Sequence, residues 1–133
     1  MQCRFHHVAL KAKDFDAAVN FYKDVLGLKE KIMWMMGDTP AIMLEMSCGG
    51  IVEIFGLGSD EEELSPRWVH MAVVVDDIPA VYKKAIEYGA KPLVEPDKMI
   101  IQGKEKALET EYAFIQGVAG EVFEFIDEKE VVN

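Results

Sequence analysis

Apolar and polar positions along this chain follow two periods, and the order of those periods is repeated. Residues 5–11 form a short apolar run with one charged end, which predicts a strand. Asp14 then stands where a helix cap belongs, ahead of apolar residues at 15, 18, 19, 22, 25 and 26, and Gly27 ends that helical spacing. Strand-like runs follow at 28–36, 41–46 and 50–55, with turn signals at Gly37-Asp38 and Cys48-Gly49-Gly50. The second half reads alike. A run from His70 leads to Asp77, which caps apolar positions 78, 81, 82, 85 and 86 before Gly89. Pro79 is tolerated in that first turn, where a backbone N–H has no helical partner anyway. Strands are predicted at 91–94, 111–116 and 121–126, broken by Pro96, Gly117 and Gly120.

Each half therefore predicts β-α-β-β-β, and residue identities support a duplication. His7 and His70, Ala9 and Ala72, Asp14 and Asp77, and Ala17 and Ala80 all stand 63 residues apart. Further along, Gly49-Gly50-Ile51-Val52-Glu53 reads against Gly120-Glu121-Val122-Phe123-Glu124, with Glu53 and Glu124 separated by 71. The expected fold class is α+β: one domain over residues 1–133, made of repeats 4–56 and 67–127 whose half-sheets form a curved eight-stranded sheet. Two segments fall outside the repeat. Residues 57–66, with acidic positions 60–63, read as a solvated linker. Residues 97–110, with Lys98, Lys104 and Lys106, read as a basic loop beside the cup.

A chain of 133 residues, half of them hydrophobic, is long enough to bury a core and too apolar for disorder. Its formal charge of −10 argues against nucleic acid and anionic membrane surfaces, which both call for clustered Lys and Arg. No run approaches the ~18 apolar residues of a membrane span, and residues 1–7 lack a signal-peptide core, so a cytoplasmic location is expected. Two cysteines, Cys3 and Cys48, without CxxC spacing exclude a thiolate zinc site and read as reduced, partly buried thiols. Met33, Met35, Met36, Met43, Met46 and Trp34 are read mainly as core packing, although alternation keeps Met33 and Met35 off the face of Ile32 and Trp34.

The chemistry lies in what the duplication carries. Strand alternation puts Phe5, His7, Ala9 and Lys11 on one face, Ile51, Glu53 and Phe55 on another, and Val122, Glu124 and Ile126 on a third. Each glutamate sits among apolar neighbours, where an unpaired carboxylate costs several kcal/mol or more. Arg4 and Arg67 are the only arginines available as partners. Two histidines and two glutamates at matched places suit a divalent metal, because imidazole nitrogen and carboxylate oxygen ligate Ni²⁺, Zn²⁺, Co²⁺, Mn²⁺ or Fe²⁺. His7, Glu53, His70 and Glu124 are thus the candidate ligands. His6 competes with His7, but the 63-residue offset selects His7 and turns His6 to the opposite face.

Over nearly its whole length the chain resembles the vicinal oxygen chelate superfamily (glyoxalase, bleomycin resistance and extradiol dioxygenase proteins), and most of all the short glyoxalase I type. The resemblance is carried by His7-Val8-Ala9-Leu10, by Phe21-Tyr22-Lys23-Asp24-Val25-Leu26-Gly27, by Ile51-Val52-Glu53-Ile54, by His70-Met71-Ala72-Val73 and by Gly120-Glu121-Val122-Phe123-Glu124. It implies the vicinal oxygen chelate fold and one divalent ion, Ni²⁺ or Zn²⁺ first, held by the four residues above. The implied reaction is a proton transfer between neighbouring carbons of a 2-oxoaldehyde–thiol hemithioacetal through an enediolate, with Glu124 as base and Glu53 as its partner. It also implies a homodimer with sites shared between chains, His7 and Glu53 of one meeting His70 and Glu124 of the other.

Two positions depart from the glyoxalase I pattern. Lys11 stands where an arginine usually grips glutathione, and no asparagine follows Glu53 in the run Ile54-Phe55-Gly56-Leu57. Lys11, Lys104 and Lys106 are the residues left to hold a thiol co-substrate, whether glutathione or another thiol. The alternatives are a methylmalonyl-CoA epimerase-like enzyme, which usually has glutamine in place of Glu53, and a metal-free small-molecule binding protein of the drug-resistance type.

Overall fold

The computed structural model describes residues 2–57, 68–117 and 121–132, with Trp68 described by its backbone alone. The acidic run at 60–63 lies outside the described residues. Elements follow in the order β1 (Cys3–Ala12), α1 (Phe15–Asp24), β2 (Lys29–Met36), β3 (Thr39–Glu45), β4 (Ile51–Gly56), β5 (Trp68–Val75), α2 (Ile78–Glu87), β6 (Lys91–Gln102), β7 (Lys106–Gln116) and β8 (Val122–Val132). The β-α-β-β-β order thus occurs twice, an α+β architecture. The chain divides into two compact units, one of His7–Val69 and the other of Met1–His6 with His70–Asn133.

Within the His7–Val69 unit, β2, β3 and β4 pair antiparallel and β4 pairs parallel with β1. One face of this sheet is covered by α1. Asp14 caps the helix by accepting a hydrogen bond from the Ala17 N–H at 3.0 Å, and Gly27, at φ +73°, turns the chain out of it. The amphipathic spacing brings Phe15, Ala18, Val19 and Tyr22 onto buried Ile42, Leu44, Val52 and Ile54. These sheet residues are all even-numbered. Alternation therefore gives the odd-numbered His7, Ala9, Met43 and Glu53 to the face away from the helix.

The second unit is built by the same rules. Its β5 and β8 pair parallel, and β8, β7 and β6 pair antiparallel. Asp77 accepts from the Ala80 N–H at 3.1 Å, Pro79 sits in the first turn of α2, and Gly89 has φ +105°. Here the helix-covered core is odd-numbered: Val73, Val75, Ala113, Ile115 and Phe125 with Ile78 of the helix. The opposite face carries His70, Ala72, Phe114, Glu124 and Ile126.

Three expectations need correction. Residues 97–110 are not a loop, since β6 runs on to Gln102 and β7 starts at Lys106, leaving a short turn at 103–105. Pro96 does not stop β6 because this strand is bonded on one side only, by β7, and its register shifts between Pro92 and Val94 and again between Val94 and Asp97. Bulges on an edge strand absorb prolines that lack a donor. Second, Cys3 and Cys48 are exposed rather than partly buried. Third, of the methionines read as core, Met43 is buried, whereas Met33, Met35, Met36 and Met46 are exposed. The alternation that buries Ile32 and Trp34 turns Met33 and Met35 outward. No helix among the described residues is long and apolar enough to cross a membrane.

Candidate metal centre

The duplication extends to the geometry of two buried His–Glu pairs. In the first unit, Glu53 on β4 lies opposite Ala9 on β1, two residues after His7. In the second, Glu124 on β8 lies opposite Ala72 on β5, two residues after His70. Both alanines are fully buried. A strand neighbour larger than alanine would fill the space across which each glutamate reaches diagonally to its histidine. His7 Nε2 stands 3.3 Å from Glu53 Oε1, and His70 Nε2 stands 3.2 Å from Glu124 Oε1. The alanines belong to the 63-residue repeat, so their part in the site was visible in the sequence but went unread.

Burial makes these pairs chemically conspicuous. Side-chain exposure is 1% for His7, 6% for Glu53, 9% for His70 and 8% for Glu124. Ile54 and Val52 flank Glu53 with 0% and 1% exposure, and Phe125 and Ile126 follow Glu124 at 7% and 2%. Phe114, opposite Glu124 in the ladder, meets the His70 ring edge-on at 5.1 Å between centroids and fixes its plane. Two carboxylates taken out of water at corresponding places are an expensive arrangement that packing alone does not call for.

The donor set fits a divalent cation. Neutral imidazole nitrogen with carboxylate oxygen is the ligand chemistry of zinc and its neighbours. Two donors bound at about 2.1 Å, with an angle between right and tetrahedral, lie roughly 3.0–3.4 Å apart. The separations within the two pairs fall in that interval. A third His–carboxylate contact differs: His6 Nε2 and Glu128 Oε1 are 2.8 Å apart, the length of a direct charge-assisted hydrogen bond. Sequence reasoning missed this contact, because its partners stand 122 residues apart and outside both repeat offsets.

The remaining candidates are spread more widely. Lys11 is on the open face of β1, in register with Phe55 and two strand positions beyond Ala9. Lys104 is exposed in the turn between β6 and β7. Lys106 opens β7 and pairs with Glu130 at 3.4 Å. Lys104 and Lys106 therefore belong to one hairpin end, and Lys11 to another strand of the other unit.

Comparison with known families matches residues 4–125 to the model described as the Glyoxalase/Bleomycin resistance protein/Dioxygenase superfamily. The chain is 31% identical over 129 residues to the uncharacterized protein YwbC of Bacillus subtilis (strain 168), covering 94% of this chain and 98% of that protein. Among solved structures it is similar to a hypothetical protein from Bacillus halodurans, with a TM-score of 0.79, 19% identity, and 100% and 99% of the two chains covered. It is also similar to methylmalonyl-CoA epimerase from Mycobacterium tuberculosis, with a TM-score of 0.72, 18% identity, and 92% of this chain and 86% of that one covered. At such identities the structural likeness is one of fold, the vicinal oxygen chelate α+β fold.

Proposed function

This chain belongs to the glyoxalase/bleomycin resistance protein/dioxygenase superfamily, and from that premise we propose that it is a metal-dependent glyoxalase I-like lyase acting on the hemithioacetal of a 2-oxoaldehyde and a thiol. The observation that carries the proposal is the repeated buried His–Glu pair, at the same diagonal register in both units. His7, Glu53, His70 and Glu124 would hold one divalent ion, Ni²⁺ or Zn²⁺ first, with Co²⁺, Mn²⁺ and Fe²⁺ compatible with the same donors. When bound, the ion supplies Lewis-acid stabilisation for the negative charge that the substrate oxygens acquire as a proton leaves carbon.

The proton itself is the work of the carboxylates. Glu124 would take it from the carbon bearing sulfur and deliver it to the neighbouring carbonyl carbon, while the hydroxyl proton passes to the oxygen of that former carbonyl. The hemithioacetal becomes a 2-hydroxy thioester with no net gain or loss of atoms. Glu53, its counterpart in the repeat, would be the partner carboxylate. His70, with its plane set by Phe114, holds Glu124 in position, and the buried Ile126 beside it keeps water from the carboxylate. Lys11, Lys104 and Lys106 are the residues offered to a thiol co-substrate. Lys11 lacks the bidentate fork of an arginine, and Lys106 already pairs with Glu130, so glutathione is expected to be a poor partner.

We further infer a homodimer in which His7 and Glu53 of one chain meet His70 and Glu124 of the other. Mixing His7→Ala with Glu124→Ala protein would then restore activity, because one site of each heterodimer has all four ligands. The test of the whole reading is direct. Protein stripped and reloaded with Ni²⁺ or Zn²⁺ is analysed for metal, its crystals are scanned for anomalous scattering, and methylglyoxal hemithioacetals are supplied with acyl-CoA esters as the control substrate. Absence of metal at the four residues overturns the proposal. A filled site with turnover of acyl-CoA alone replaces the lyase by an epimerase.

A further inference from the structure

The indole N–H of Trp34 is buried and has no hydrogen-bond partner among the described residues. Trp34 itself is 9% exposed, so the ring is packed and its one polar atom is out of water. A buried donor left unpaired is costly, and native structures keep few of them. Tryptophan is also a poor choice for simple filling at such a place, because leucine or phenylalanine packs there without an N–H to satisfy. The atom is suited to an acceptor that arrives with a ligand.

Register places that donor on the face of Glu53. Trp34 on β2 lies opposite Ala41 on β3, and Ala41 lies opposite Phe55 on β4, two residues beyond Glu53. Cross-strand partners share a face, so Trp34, Phe55 and Glu53 are on the same side of the sheet, away from α1. Ala41, at 0% exposure, is small enough for the Trp34 and Phe55 rings to meet across it, edge-on at 6.2 Å between centroids. Phe55 is half-buried and so is the more exposed of the two rings. The adjoining row of the sheet, Ile32, Met43 and Glu53, is apolar up to the carboxylate. Two strand spacings and two residues separate Trp34 from Glu53, roughly 12 Å between Cα atoms. The donor is not part of the duplication. In the second unit the corresponding row runs Asp97, Tyr112, Ile126, with an exposed carboxylate in the place of Trp34. The repeated His–Glu pairs serve the reaction whatever the substrate, whereas a donor held by one unit alone can discriminate.

We propose that Trp34 is a specificity residue of this face: its Nε1–H donates to an oxygen of the bound substrate that lies beyond the two reacting carbons and enters beside Phe55. The inference rests on the lyase reading for the reaction that the substrate undergoes. An indole N–H only donates, so the recognised group is an oxygen acceptor, and it needs no charge. An N–H already out of water gives up no hydration when the acceptor arrives, so the gain exceeds that of a hydrogen bond exchanged with solvent. The oxygen belongs either to the side chain of the 2-oxoaldehyde or to the thiol. A substrate without it leaves the N–H unpaired.

The test reads binding separately from turnover. Four 2-hydroxy thioesters, those derived from methylglyoxal or hydroxypyruvaldehyde with ethanethiol or mercaptoethanol, differ only in where an additional hydroxyl sits. Each is titrated into the protein by calorimetry while the indole ¹H–¹⁵N resonance of Trp34 is followed. At least one ester with the additional hydroxyl is expected to bind roughly fivefold to a hundredfold more tightly than the plain one and to shift that resonance downfield. The ester preferred shows whether the acceptor comes with the aldehyde or with the thiol. Replacing Trp34 by benzothienylalanine, which keeps the shape of the ring and puts sulfur in place of the N–H, should abolish the preference. This variant should melt no lower than the wild type, since it loses only an unpaired buried donor. A lower melting temperature would show that the N–H is already paired in the free protein and overturns the proposal. So do equal binding of all four esters, an indole resonance unmoved by an ester that binds, or a preference that survives the replacement. The four parent hemithioacetals are assayed in parallel with Ni²⁺ or Zn²⁺ supplied. Preference in binding without turnover of any of them leaves Trp34 in this role and overturns the lyase reading. Turnover without preference does the reverse.

Discussion

Replacing Glu124 by glutamine separates what this carboxylate contributes to stability from what it contributes to ion binding. This carboxylate is 8% exposed beside His70, so the amide removes a buried charge while preserving shape. Metal-free Glu124→Gln should therefore melt within about 4 °C of the wild type or above it, the equivalent of ~1 kcal/mol in a chain of 133 residues. Loading the ion reverses the order. A ligand present at a hundredfold excess over its dissociation constant stabilises by about 2.7 kcal/mol. With an unfolding entropy of ~2.1 cal/mol/K per residue, this chain gains roughly 10 °C. The variant, short of one anionic ligand, should gain less than half of that. Thermal melts followed by far-ultraviolet circular dichroism, at one protein concentration, after chelator treatment and again with excess Ni²⁺ or Zn²⁺, give all four numbers. An equal gain in both proteins would show that the ion binds elsewhere, and no gain in the wild type would show that the four residues hold no ion.

Other consequences follow from the same geometry. Ala72→Val adds two methyl groups opposite Glu124 at a fully buried position, so it should cost about 1–3 kcal/mol in denaturant unfolding and displace the carboxylate enough to weaken metal binding. Leu44→Ala, at a fully buried position under α1, should lose about 2–5 kcal/mol by urea titration while leaving the metal content of the folded protein unchanged. Asp14→Ala and Asp77→Ala remove equivalent caps and should each lose ~0.5–2 kcal/mol, with similar values for the two. The metal-dependent rise in melting temperature should shrink as pH falls below about 6, since protons compete with the ion for imidazole and carboxylate. Melts with and without Ni²⁺ across that range check the direction.

Where the fold was legible, the cause was local chemistry stated twice. Asp14 and Asp77 announce their helices because a carboxylate that accepts a backbone N–H at the first turn leaves a recognisable position before an apolar period. Gly27 and Gly89 mark the ends for an equally local reason, a positive φ. Illegibility began where neighbours outside the segment decide the outcome. Pro96 is a strand breaker by itself, yet β6 passes it because only one side of that strand must be bonded. Met35 looks like core by composition, but the register that buries Trp34 leaves it 57% exposed.

The site divides along the same line. Each His–Glu pair is a relation between two strands that are parallel neighbours, and duplication wrote that relation into the sequence as two constant offsets. A reader can recover it because chance does not repeat a diagonal contact together with the small residue that makes room for it. His6 and Glu128 have no such echo. In the first unit the position 71 residues before Glu128 is Leu57, an apolar residue beyond the end of β4, and the position 63 residues after His6 is Val69. The pair thus has no counterpart at either repeat offset. The symmetric features are those that one histidine and one glutamate require of the two parallel strands that carry them in each unit. The asymmetric contact lies along β8 beyond Ile126, where that strand runs for 11 residues against the 6 of β4, so no repeated position exists in the first unit to record it.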